Sequence, residues 1–172
     1  MVLEPRVFSD PRGYFVETWQ RNRYSEIGMP DFVQDNISWS RKDVLRGMHL
    51  QNPKAQGKLV SVAEGSVYDV AVDLRKGSPT FGKWHGETLD SKSGRQFYVP
   101  PGFAHGFVVL SDFAVFAYKC SDYYNPMGEF TVRWDDPEIG IEWPVESPIV
   151  SEKDAEGMRL SEIPNEKLIS FA

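Results

Sequence analysis

The chain of 172 residues has a single cysteine, Cys120. One thiol cannot build an internal disulfide framework, and its isolation fits a reducing, cytoplasmic compartment. No apolar run approaches the ~18 residues of a membrane span. The opening segment, MVLEPRVFSD, has neither the basic region nor the apolar core of a secretion signal. Basic residues are outnumbered, 19 Lys and Arg against 25 Asp and Glu, for a net charge of −6. That balance argues against general nucleic-acid binding and leaves room only for a local basic pocket holding a small anion. Histidine is sparse: His49, His85 and His105. No H-x-H occurs, and a strand-borne metal site normally needs His at i and i+2 or a tight His/carboxylate cluster, so metal is disfavoured. There is no G-x-S-x-G, no Gly-rich phosphate loop, and no His near Cys120 in YKCSD, so nucleophilic catalysis and P-loop or Rossmann chemistry are not indicated.

What is present is 41% hydrophobic and 13% aromatic, enough to fold one domain over residues 1–172 around a sizeable core. Short apolar runs at 43–50, 57–63, 66–74, 82–89, 95–99, 105–110 and 114–120 alternate with turn signals such as AEGS, RKGSPTFG, VPPG and WDDPEIG. This spacing predicts an all-β barrel or sandwich. Helix is confined to a short piece over 21–28 and a turn over 151–157, with Ser151 as its N-cap. The last residues, NEKLISFA, read as a peripheral tail or strand.

Parity sharpens the picture. In GSVYDVAVDLR, Tyr68, Val70, Val72 and Leu74 share one face, and Val67, Asp69, Ala71 and Asp73 the other. Asp69 between Val67 and Ala71 marks either an outer face at a sheet edge or a carboxylate with a task. The segment VLRGMHLQ, 44–51, places Arg46 and His49 in an apolar run. A buried Arg there needs an anion or carboxylate opposite it. Arg46 and His49 differ in parity, and a bulge at Gly47 would bring them to one side. By residue type, the remaining candidates suit acid–base chemistry beside a carbonyl. His49 is a base, Asp154 or Asp69 orients it, Lys58 stabilises an enolate, and Tyr118 is a weak acid whose ionisation Lys58 eases. Tyr118 as a plain core aromatic of AVFAYKC is the competing reading.

The segments EPRVFSDPRGYFVET, FVQDNISWS, VLRGMHLQ, AQGKLVSVAEGSVYDVAVDLRKGSPTFGKW, VPPGFAHGFVVLSD, YKCSDYYNP, WDDPEIGIEWP and VSEKD resemble, in the same order, the dTDP-4-dehydrorhamnose 3,5-epimerases. That resemblance implies a cupin-like jelly-roll β-barrel with a few short helices, working without a cofactor. It implies His49 as the base, Asp154 as its carboxylate partner, Lys58 as enolate stabiliser and Tyr118 as the acid that returns the proton. It places substrate contacts on Gln34, Asn36, Arg46, Asp69, His105, Tyr123 and Lys153, with Arg46 facing the diphosphate. It assigns Phe8, Arg12, Phe15 and Glu17 to the nucleotide base across a homodimer interface. The implied substrate is dTDP-4-dehydro-6-deoxy-D-glucose and the product dTDP-4-dehydro-β-L-rhamnose. Epimerisation at C3 or C5 alone, and a silent sugar-nucleotide-binding cupin, are the alternatives. Three departures stand out: Leu50 replaces a common aromatic, Pro101 adds a second proline, and the chain begins about one strand into the family's domain.

Overall fold

A computed structural model describes residues 1–171. Alternating β-branched and aromatic residues form strands, and Gly, Pro and Asp-rich turns stop them. In chain order these are β1 (Val2–Leu3), β2 (Val7–Asp10), β3 (Gly13–Val16), then α1 (Arg21–Glu26), β4 (Gln34–Arg41), β5 (Leu45–Gln51), β6 (Lys58–Glu64), β7 (Ser66–Asp73), β8 (Trp84–Asp90), β9 (Gln96–Val99), β10 (Phe103–Val109), β11 (Phe113–Cys120), β12 (Glu129–Thr131) and α2 (Glu152–Ala155). The order β1-β9-β6-β11-β4 makes one antiparallel sheet and β12-β5-β10-β7-β8 a second, with β2-β3 a separate hairpin. The two large sheets face each other as the halves of a jelly roll. The all-β expectation holds, and the seven strands anticipated from the apolar runs appear within about two residues of their expected ends.

Three apolar layers hold the fold. Val60, Val62, Phe97 and Phe116 of the first sheet meet Val67, Ala71 and Phe107 of the second. On the far side of the second sheet, Met48, Leu50, Val70, Val72 and Leu74 pack under Ile139, Trp143 and Ile163 of the chain after β12. Outside the first sheet, Tyr24 of α1 packs with Met29, Trp19, Phe32 and Leu59. The second sheet is therefore covered on both faces. That decides Asp69: it is fully buried between the sheets, and the outer-face reading fails because β7 has no outer face.

Two local features set up the site. On β5, His49 pairs with His105 and Arg46 with Phe107, so three steps on β5 oppose two on β10. The extra residue is a bulge, as expected at Gly47. It turns Arg46 and His49 to the same side. Gly47 has φ 126, and a Cβ there would lie 2.5 Å from the Gly106 Cα, so only glycine fits. The second feature is the α2 turn. Ser151 caps it, its hydroxyl accepting from the Asp154 N–H at 3.2 Å.

Candidate active site

A cavity of about 300 Å³ opens between β4 at the edge of the first sheet and β5 and β12 at the edge of the second. His49, Gln51 and Glu129 line it from the second sheet, and Asn36, Lys58 and Tyr118 from the first. Gln34, Gln56 and Tyr124 complete the mouth. The bulge at Gly47 aims His49 inward, and strand alternation does the same for Lys58, which opposes Cys120 in the β6–β11 ladder.

His49 Nε2 lies 2.6 Å from Asp154 Oδ1. The other oxygen of Asp154 accepts the Gly47 N–H at 3.3 Å. Burial pushes the Asp154 carboxyl up, but the His49, Gly47 and Ser151 hydrogen bonds more than offset it and hold the group below the usual carboxylate range. An ionised Asp154 can only accept, so Nε2 donates and Nδ1 of a neutral ring keeps its lone pair. Desolvation lowers the Lys58 ammonium, opposed by Cys120, Glu129 and Asp69. Asp69 takes His105 Nε2 at 2.9 Å on both oxygens. Burial raises the Asp69 carboxyl, and His105 and Lys58 offset this only in part. Burial likewise raises the Tyr118 phenol. The charge of Arg46 offsets that rise only in part, and Lys58 lines the same cavity as Tyr118.

Of the expected residues, His49, Lys58, Tyr118, Gln34 and Asn36 meet at the cavity, Asp154 stands behind His49, and Asp69 and His105 form a buried pair near Lys58. Arg46 is not buried. It is exposed and not among the residues lining the cavity, and its Nε donates to Ser40 Oγ at 2.9 Å, so no buried counter-anion is needed. Lys153 donates to Glu129 Oε2 at 2.5 Å. The Tyr123 side chain is 61% exposed and does not line the cavity; its carbonyl accepts from Gln51 Nε2 at 2.9 Å, and Tyr124 is the aromatic at the mouth. Phe8, Arg12, Phe15 and Glu17 lie apart, on the hairpin and just after it. Arg12 is held by Asp10 and Glu17 by Arg23. They border separate hollows of about 360 and 520 Å³.

Glu129, Gln51, Gln56 and Tyr124 were missed as site residues. Glu129 accepts from Lys153 and, at 3.0 Å, from the Tyr124 hydroxyl. Burial raises its carboxyl, and these bonds together with His49 bring it below the usual range. For Gln51 the available signal was parity. Gln51 sits two residues after His49 on one face, and Glu129 pairs with Gln51 across the β12–β5 ladder.

The family model described as dTDP-4-dehydrorhamnose 3,5-epimerase matches residues 1–162. The chain is 52% identical over 160 residues to the dTDP-4-dehydrorhamnose 3,5-epimerase of Pseudomonas aeruginosa, covering 91% of this chain and 88% of that one. It is 47% identical to that of Escherichia coli, over 99% of this chain and 94% of the other. Its structure superposes with a TM-score of 0.97 on a dTDP-6-deoxy-D-glucose-3,5-epimerase from Legionella pneumophila, solved in complex with dTDP-4-keto-L-rhamnose. Identity there is 51%, covering 99% of this chain and 93% of that one. Sequence and fold agree, and the chain belongs to the dTDP-4-dehydrorhamnose 3,5-epimerase family.

Proposed function

We propose that this protein epimerises dTDP-4-dehydro-6-deoxy-D-glucose at C3 and C5, giving dTDP-4-dehydro-β-L-rhamnose. One observation carries the reading: a His–Asp pair and a tyrosine stand on facing walls of one cavity. The C4 ketone acidifies the C–H bonds on both sides of it. His49 Nδ1 takes the proton, and Asp154 stabilises the imidazolium that results. The Lys58 ammonium meets the developing enolate oxygen. Tyr118, from the other sheet, returns a proton to the opposite face of the carbon, which inverts it. The sugar shifts or flips its ring between the two events, since one base serves both carbons. Gln34 and Asn36 line the cavity with donors suited to the sugar, and the exposed Arg46 and Lys153 supply cations suited to the diphosphate.

The substrate class is supported by the sugar nucleotide held by the Legionella relative. A second copy of the chain supplies the nucleotide-base contacts. The β2-β3 hairpin exposes Phe8 at 49% and Phe15 at 67%, beside a basic residue. Such a patch is accounted for by a partner surface. The decisive experiment is incubation with the substrate in deuterated water, with label located by NMR. Deuterium at C3 and C5 is expected. Label at one carbon assigns a mono-epimerase, and no label rejects the enzymatic reading for this sugar.

A further inference from the structure

Among the described residues, two buried side-chain polar atoms have no hydrogen-bond partner: Ser38 Oγ and Thr131 Oγ1. Both lie on the strands that border the catalytic cleft, β4 and β12. Buried orphan hydroxyls cost stability, so one beside a reactive group calls for a reason.

Thr131 has a particular place. It is the direct cross-strand partner of His49 in the β12–β5 ladder. Side chains so paired stand on one face with Cβ atoms roughly 5 Å apart. On its other edge, the Thr131 carbonyl accepts the Met158 N–H at 2.9 Å, and Val132 bridges to Met158. Met158 ends the short arm that carries Asp154. Thr131 is thus where the two segments bearing the His49–Asp154 pair are joined. Its side chain is 7% exposed, and it does not line the cavity, so it acts through His49 and not on the substrate. A β-branched residue in a strand has little χ1 freedom, but its hydroxyl hydrogen rotates freely.

We infer that Thr131 is a positioning residue for proton abstraction: its unpaired hydroxyl is a dipole held beside the His49–Asp154 pair, free to turn and stabilise the imidazolium–carboxylate form made when His49 takes the substrate proton. This rests on the epimerase reading above. The stabilisation is absent while the ring is neutral, so it lowers the barrier without tightening substrate binding. The folded protein carries the cost of the orphan group in return.

The two effects have opposite signs in one variant, which makes the test sharp. Thr131→Val keeps the shape and deletes the hydroxyl. It is expected to raise Tm by about 2–4 °C, to lower kcat and solvent deuterium incorporation about tenfold, and to leave KM within about twofold. Thr131→Ser restores the hydroxyl and keeps kcat within a few-fold of wild type. If Thr131→Val does not fold, Thr131→Ala makes the same deletion, read against Thr131→Ser. Unchanged kcat in the deletion, or a fall in Tm with Val, overturns the inference while the epimerase reading stands. A wild type that incorporates no deuterium rejects that reading instead, and this inference with it.

Discussion

Asp154 accepts the Nε2 proton of His49, which leaves Nδ1 as the ring nitrogen with a lone pair. His49→Asn is therefore expected to lose exchange at C3 and C5 together, by about 10²–10⁴ in rate, with the fold intact by circular dichroism. Wild-type exchange in that variant would remove His49 from the role. Tyr118→Phe separates the two half-reactions. Abstraction by His49 survives, so the variant exchanges substrate hydrogen with retention while epimerised product falls steeply; product within a few-fold of wild type would leave Tyr118 a core aromatic. At this scale the candidate site was readable where chemistry-bearing residues sit in a motif: His49, Lys58 and Tyr118 meet at one cavity with Asp154 behind His49. It was not readable where a side chain reaches the cavity only through a pairing. Glu129 lies on a three-residue strand whose register against Gln51 no local pattern reveals. The exposure of Arg46 was misjudged for a related reason, since its neighbours Leu45 and Met48 are buried and the bulge at Gly47, which resets the direction of its side chain, falls outside simple parity.

Elements carry the next level of constraint. The β5 bulge exists because Gly47 has a backbone conformation and a close approach to Gly106 that a side chain forbids. Gly47→Ala should cost about 3 kcal/mol or more by urea denaturation and abolish activity, because the displaced segment carries His49. The turn from β7 to β8 is anchored by Asp73, which is almost fully buried. Arg75, Ser78 and Thr80 all bond its carboxylate. Burial pushes this carboxyl up, but the bonds overwhelm burial and hold it far below the usual range. A folded-state depression stabilises the protein above the unfolded pKa of about 3.9 and is lost only as pH falls through the lower folded value. Asp73→Asn should thus lower Tm by several degrees near neutrality, a gap that closes only in strong acid. Strands were legible where apolar residues face inward. β4 was overlooked because its pattern is inverted, with polar Gln34, Asn36, Ser38 and Ser40 turned toward the cleft and Ile37 and Trp39 outside, 70% and 62% exposed.

On the scale of the molecule, those exposed groups and the hairpin aromatics predict association. Light scattering at micromolar concentration should report twice 19.6 kDa. Phe8→Ser with Phe15→Ser should weaken both the dimer and the use of dTDP-sugar, and a fully active monomer would contradict the shared site. The active-site pair itself spans 105 residues of sequence. Every strand of the two sheets is complete by Thr131, and Asp154 follows roughly twenty residues later. At ~5–20 residues per second, Thr131 is joined to the chain a second or more before Asp154. A ribosome therefore carries, for that interval, a chain with its base, its lysine and its tyrosine already made and nothing to hold the imidazole. Catalytic competence waits on the closing arm of the polypeptide, the last of these groups to be made.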